Sequence, residues 1–163
     1  MEVEAMALEM PVVTGHPNRR GFRGVLTVVG RASDRAPSGA RGNRVILTRA
    51  ATERAMNSLL GMAVDYTPLM DGHDARRKIG VITSAELVGD RVEVSGHLFA
   101  HDFPEVVGEI ASSYDLGMSY EIADARVCEA SRGVWAVTEF AFTGAAVLKR
   151  EKAAYRETAF GLE

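Results

Sequence analysis

Cysteine is nearly absent from this chain. Cys128 is the only one among 163 residues, so no intrachain disulfide can form. That suits a reducing compartment, and Cys128, beside Val127 in a predicted strand, is expected to be a buried structural thiol. Long apolar runs are missing too. None approaches the roughly 18 residues that a membrane-spanning helix requires. The N-terminal region carries Glu2, Glu4 and Glu9 rather than the basic-then-apolar order of a secretory signal. A soluble intracellular protein with no membrane partner is therefore expected. Charge of one sign is not in excess either. A formal net charge of −3 leaves no global basic field, which excludes nucleic acid as the main partner. The short basic clusters Arg19-Arg20, Arg76-Arg77-Lys78 and Lys149-Arg150 fall below the block length that marks a binding tail and read as solvated surface. The chain has no internal repeat, no low-complexity segment and no Gly-rich phosphate-binding fingerprint.

What is present is the composition of one globular domain. The apolar fraction is 47% and the charged fraction 25%, in a chain long enough to enclose a hydrophobic core. Residues 1–18 hold Pro11, Gly15 and Pro17 without a sustained apolar period and read as an N-terminal arm. Residues 19–163 read as a single domain. Phe22 to Val29 is a strand rich in β-branched residues, followed by a long polar loop, 31–43, of a length that is often functional. After the short apolar run Arg44 to Leu47, Thr48 caps a predicted helix with Ala51, Ala55, Met56, Leu59 and Leu60 at helical spacing and Gly61 as its stop. An extended stretch from Ala63 leads to the turn Asp71-Gly72. Ile79 to Leu87 and Arg91 to Phe99 flank the hairpin dipeptide Gly89-Asp90. Asp102 and Pro104 open a second helix over 104–114. Met118 to Val127 and Val134 to Phe142 are the last two strands. Several short strands with inserted helices predict a β-rich α+β fold, a six- to seven-stranded closed or nearly closed barrel with peripheral helices.

Three residues invite chemistry. In Val134 to Phe142, a period of two sets Glu139 with Trp135, Val137 and Ala141 on one apolar face, while the other face is apolar as well. A buried carboxylate needs a partner, either an imidazolium or one of the many arginines. His73 follows the Asp71-Gly72 turn, and imidazole is the side chain that accepts and returns a proton near neutral pH. Ser119 sits at the mouth of a strand, two residues after Gly117. That glycine permits close approach of a substrate backbone and supplies main-chain N–H groups for an oxyanion. The motif is not the nucleophile elbow, because Glu121 stands where a second glycine is required.

In order along the chain, His73-Asp74, Leu116-Gly117-Met118-Ser119 and Glu139-Phe140-Ala141-Phe142-Thr143 resemble the prohead (capsid-maturation) serine proteases of tailed bacteriophages, distant relatives of the herpesvirus assembly protease. Phe22-Arg23-Gly24-Val25-Leu26-Thr27 is similar to the opening of such domains. Thr143 to Leu148 with Ala153-Ala154-Tyr155 is similar to their close, so the likeness runs from about residue 20 to 158. Two departures stand out: no Val-Ser follows Glu139, and Tyr120 occupies a place where a small or aliphatic residue is common. The resemblance implies a barrel of the herpesvirus-protease type and a serine endopeptidase acting on capsid and scaffold proteins, and on itself. It implies work in the host cytoplasm inside the assembling procapsid, in a chain free to form a homo-oligomer. Ser119 would be the nucleophile, His73 its base and Glu139 the orienting carboxylate, with Asp74, Glu121 and Asp124 as substitutes for it. Lys149 and Arg150 are candidates for the oxyanion segment.

No cofactor or metal is expected. His97 and His101 lie four apart, but across a strand end, where side chains stand roughly 13 Å apart, too wide for one zinc ion. A catalytically inactive capsid-assembly or scaffold protein on the same fold is the alternative, since fold does not fix function.

Overall fold

The computed structural model describes residues 14–163, so residues 1–13 of the expected arm lie outside the described residues. The elements are β1 (Arg20–Val28), β2 (Arg44–Leu47), α1 (Arg49–Ala55), β3 (Ala63–Asp65), β4 (Lys78–Val88), β5 (Arg91–Leu98), α2 (Pro104–Ser112), β6 (Leu116–Ser131), β7 (Val134–Lys149) and β8 (Ala159–Leu162). Local chemistry explains most of the boundaries. The Thr48 hydroxyl accepts from the N–H of Ala51 at 3.3 Å and starts α1. The helix tightens into a 3₁₀ turn over Met56–Leu59, and Gly61, at φ +82°, ends it. Gly89 takes φ +62° in the two-residue turn between β4 and β5, a position that favours glycine. Pro104 opens α2, where its missing N–H costs nothing. Asp102 does not cap that helix. Its carboxylate accepts from the side-chain amide of Asn18, whose oxygen in turn accepts from the N–H groups of His101 and Asp102.

Seven strands follow one path, β2-β7-β3-β4-β5-β1-β8, and β6 pairs along the other edge of β7. The long strand β7 organises the molecule. It is antiparallel to β6 over nearly its whole length, and parallel to β2 at Arg44–Leu47 and to β3 at Val64–Asp65. The curled sheet encloses Phe22, Leu26, Leu47, Ile82, Leu98 and Phe142, all essentially inaccessible. Each such side chain contributes about 1.5–3 kcal/mol through burial. From α1 and the turn after it, Ala51, Ala55 and Leu59 add to the same core.

Three expectations need correction. The sheet is open rather than closed: among the described residues no ladder joins β6 to β1 or β8. Side chains fill the seam instead, with Met118 of β6 lying against Gly24 of β1. The strand β8, which pairs with β1 from Phe22 to Val25, was not among the expected strands. Cys128 is exposed, not buried, because the distal half of β6, from Asp124 to Ser131, faces solvent throughout. No helix among the described residues is long and apolar enough to cross a membrane.

Candidate active site

His73 lies in the loop between β3 and β4, which is tightly braced. The N–H of Met70 donates to Thr67 O, and the Thr67 hydroxyl donates to Asp71 Oδ1. Met70 O accepts from the N–H of Lys149, fastening the loop to the end of β7. Ser119 is held in the β6–β7 ladder opposite Ala146. These two anchors bring His73 Nε2 to 2.9 Å from Ser119 Oγ, within hydrogen-bond range.

Two carboxylates stand behind the ring. Nδ1 of His73 is 3.1 Å from Glu121 Oε1 and 3.5 Å from Asp65 Oδ1. Glu121 follows Ser119 on the same strand with the same side-chain direction, as a period of two requires. Asp65 ends β3, is only 2% exposed, and accepts from the N–H of Asp74 at 3.2 Å. The site is thus a serine, an imidazole and two acids, gathered from β3, the loop after it, and β6.

The expected third member, Glu139, is elsewhere. Its side chain is 60% exposed and paired with Arg126 at 3.3 Å. The strand is central, but Thr138 is an extra residue in it, lying between the pairs Arg126↔Glu139 and Val127↔Val137, beside a separate bulge of β6 at Asp124, φ +53°. Such a slip breaks alternation, and both Thr138 and Glu139 turn to solvent. Of the substitutes, Glu121 reaches the ring. Asp74 does not, since Arg76 and then Arg77 hydrogen-bond its carboxylate and hold it below the usual carboxylate range. Asp124 is exposed in the bulge. Sequence reasoning missed Asp65, although an Asp between Val64 and Tyr66 is the same signal, a carboxylate in an apolar strand, that singled out Glu139.

The oxyanion candidates also need correction. The N–H of Lys149 donates to Met70 O and that of Arg150 to Asp115 O, so neither is free. The Arg150 guanidinium lies against Asp115 at 3.2 Å. Gly117 serves packing rather than substrate: a methyl there would stand 2.5 Å from Thr158 Oγ1 and 3.2 Å from Arg150 Cα.

A cleft of about 700 Å³ opens at the dyad. One wall is β6 with Tyr120, Ile122 and Val127, and the other is the loop segment 35–40; Trp135 and Lys152 also line it. Arg35 donates to Glu151 O, and the N–H of Asp34 donates to Ala154 O, fixing that loop. Tyr120 packs edge-on against Phe142, and burial pushes its phenol well above the usual tyrosine range. His97 and His101 take no part: His97 packs edge-on against Phe99, and His101 binds Asn18 through its backbone.

Fold and site together define a curled, mainly antiparallel sheet carrying a serine–histidine–carboxylate cluster in an open cleft. No family model matches the chain, and no curated protein matches it. Among solved structures it is similar to the bacteriophage T4 capsid assembly protease, gp21, at 12% identity and a TM-score of 0.49. The match covers 79% of this chain and 98% of that one. A likeness of this degree assigns neither family nor activity.

Proposed function

We propose that the chain is a serine endopeptidase with Ser119 as nucleophile and His73 as base. The observation that carries this reading is the 2.9 Å approach of His73 Nε2 to Ser119 Oγ, with carboxylates on the opposite side of the ring. In this reading Nε2 takes the hydroxyl proton as Oγ attacks the scissile carbonyl. Glu121 and Asp65, rather than Glu139, balance the imidazolium that forms. The imidazolium then gives its proton to the leaving amine, and water activated by the same base releases the acyl group. A polypeptide substrate is favoured over a small ester because the cleft, of about 700 Å³, is partly apolar and bordered by β6. Among the described residues that strand pairs with β7 alone, and beyond the seam where Met118 meets β1 its other edge can receive an extended segment.

The substrates we propose are phage capsid and scaffold proteins, and the chain itself, cut inside the assembling procapsid in the host cytoplasm. This part rests on the ordered sequence motifs and their resemblance to prohead proteases. The first experiment is labelling with a fluorophosphonate, which reacts with activated serines. Wild type should be labelled at Ser119, and Ser119→Ala should not. Labelling of wild type no stronger than that of Ser119→Ala would falsify the reading. Intact mass after co-expression with scaffold protein then tests the substrate.

A further inference from the structure

His73 Nδ1 is within 3.1 Å and 3.5 Å of two carboxylate oxygens, yet it is buried and makes no hydrogen bond of acceptable geometry to either. The three ligand atoms all lie within 4.8 Å of one another. Zinc bonds to nitrogen and oxygen are about 2.0–2.2 Å long in tetrahedral geometry, which sets neighbouring ligand atoms about 3.3–3.6 Å apart. The two nitrogen–oxygen separations, 3.1 and 3.5 Å, lie close to that spacing. One imidazole and two carboxylates form a zinc-type ligand set rather than the all-oxygen shell that magnesium prefers. The Asp74 N–H, by donating to Asp65 Oδ1, fixes that carboxylate as an outer hydrogen bond commonly fixes a metal ligand. Glu121, one-third exposed on the cleft wall, leaves the ion a way in.

We propose that Asp65, His73 and Glu121 bind a zinc-class divalent cation, and that this binding silences the dyad. An imidazole coordinated through Nδ1 carries its remaining proton on Nε2. Nε2–H then donates to Ser119 Oγ and cannot accept the hydroxyl proton. If the ring begins as the neutral Nδ1–H form, the proton moves from one nitrogen to the other and none is released. If it begins protonated, one proton leaves to solvent. The binding stands on the cluster's geometry alone, whereas the silencing rests on the serine-protease reading.

Titration of the metal-free protein with zinc chloride in a calorimeter tests the binding. One zinc per chain is expected, with affinity at least about tenfold weaker in Glu121→Gln and lost in His73→Ala. Cys128→Ser should bind as wild type does, and millimolar magnesium should not compete. Because Asp65 is buried and its replacement risks the fold, Glu121→Gln on the cleft wall is the deciding variant. Absence of zinc binding, or equal binding by wild type, Glu121→Gln and His73→Ala, overturns the site. Fluorophosphonate labelling with zinc present, then after chelation, tests the silencing. Labelling should vanish and return; labelling unchanged by saturating zinc overturns it. If the metal-free protein is never labelled, the protease reading fails together with the silencing, while calorimetry still decides the site.

Discussion

On the proposed serine-protease reading, two acids behind one imidazole divide a task that a single carboxylate performs in the usual triad. Asp65 is buried and held by a backbone N–H, so it is the fixed member, while Glu121 is partly solvated and more adaptable. Ser119→Ala and His73→Ala should each abolish peptide cleavage, and the double variant should be no worse than either, because the pair fails as a unit. Glu121→Gln should lower kcat by about 10–100-fold, less than the roughly 10⁴-fold known for removing a lone triad acid, because Asp65 remains. Glu139→Gln should stay within about twofold of wild type, since an exposed ion pair contributes at most about 1 kcal/mol. Steady-state kinetics on one peptide decide all of these, and a large loss in Glu139→Gln would contradict the site described. His73 and Ser119, which lie 2.9 Å apart, were singled out by the ordered motifs that resemble prohead proteases rather than by their local contexts. The acid was not, because an extra residue in β7, Thr138, turns Glu139 out to solvent, and bulges leave little trace in a period-two pattern.

Among the elements, β6 depends on a glycine for its closeness to the segment after β7. A methyl at Gly117 meets Thr158 Oγ1 and the Arg150 backbone, neither of which is the free end of a flexible side chain. Gly117→Ala should therefore cost about 1–3 kcal/mol in a denaturant titration. An unchanged midpoint would mean that β8 and the Arg150–Lys152 turn shift freely. His97 on β5 supplies a pH test. Burial, with the positive charges of Arg19 and His16 nearby, holds its imidazole below the usual histidine range. The unfolded chain therefore takes the proton first, near pH 6.5 by about the ordinary value. Stability should be full above that pH and fall as pH drops toward the lower folded-state value. Melting temperatures recorded from about pH 7 to 5 should decline in wild type, and less steeply in His97→Gln. The helices and hairpins were readable in advance because Thr48, Gly61, Gly89 and Pro104 each carry a local reason to start or stop an element. The parallel ladders of β7 with β2 and β3 were not readable, since pairing between distant segments has no local signature.

At the scale of the whole molecule, the loop 31–43 becomes a wall of the cleft through ties to the segment after β7. The Tyr155 hydroxyl is shared between Arg31 O at 3.1 Å and Val45 O at 3.0 Å, and Tyr155 is itself buried. Tyr155→Phe should cost about 1–2 kcal/mol by removing both bonds, although Val45 O keeps the Ser33 N–H as a donor. It should also raise KM more than it lowers kcat, because it loosens the wall and spares the dyad. Equal stability and kinetics would show that the loop is held without it. A curled β-rich sheet was foreseeable from short strands and frequent turns, but its open seam was not, since that depends on how side chains from β1 and β6 meet. The pairing of β1 with β8 also bears on timing. A chain made from its N-terminus has its first strand ready early, but the neighbour on that strand's outer edge is synthesised only around residue 160. Folding dominated by such distant pairings is slow, and Asp65, His73 and Ser119 meet only once β3 and β6 have both found β7. The cluster therefore assembles late, and on the proposed protease reading a partly made chain leaves its neighbours uncut.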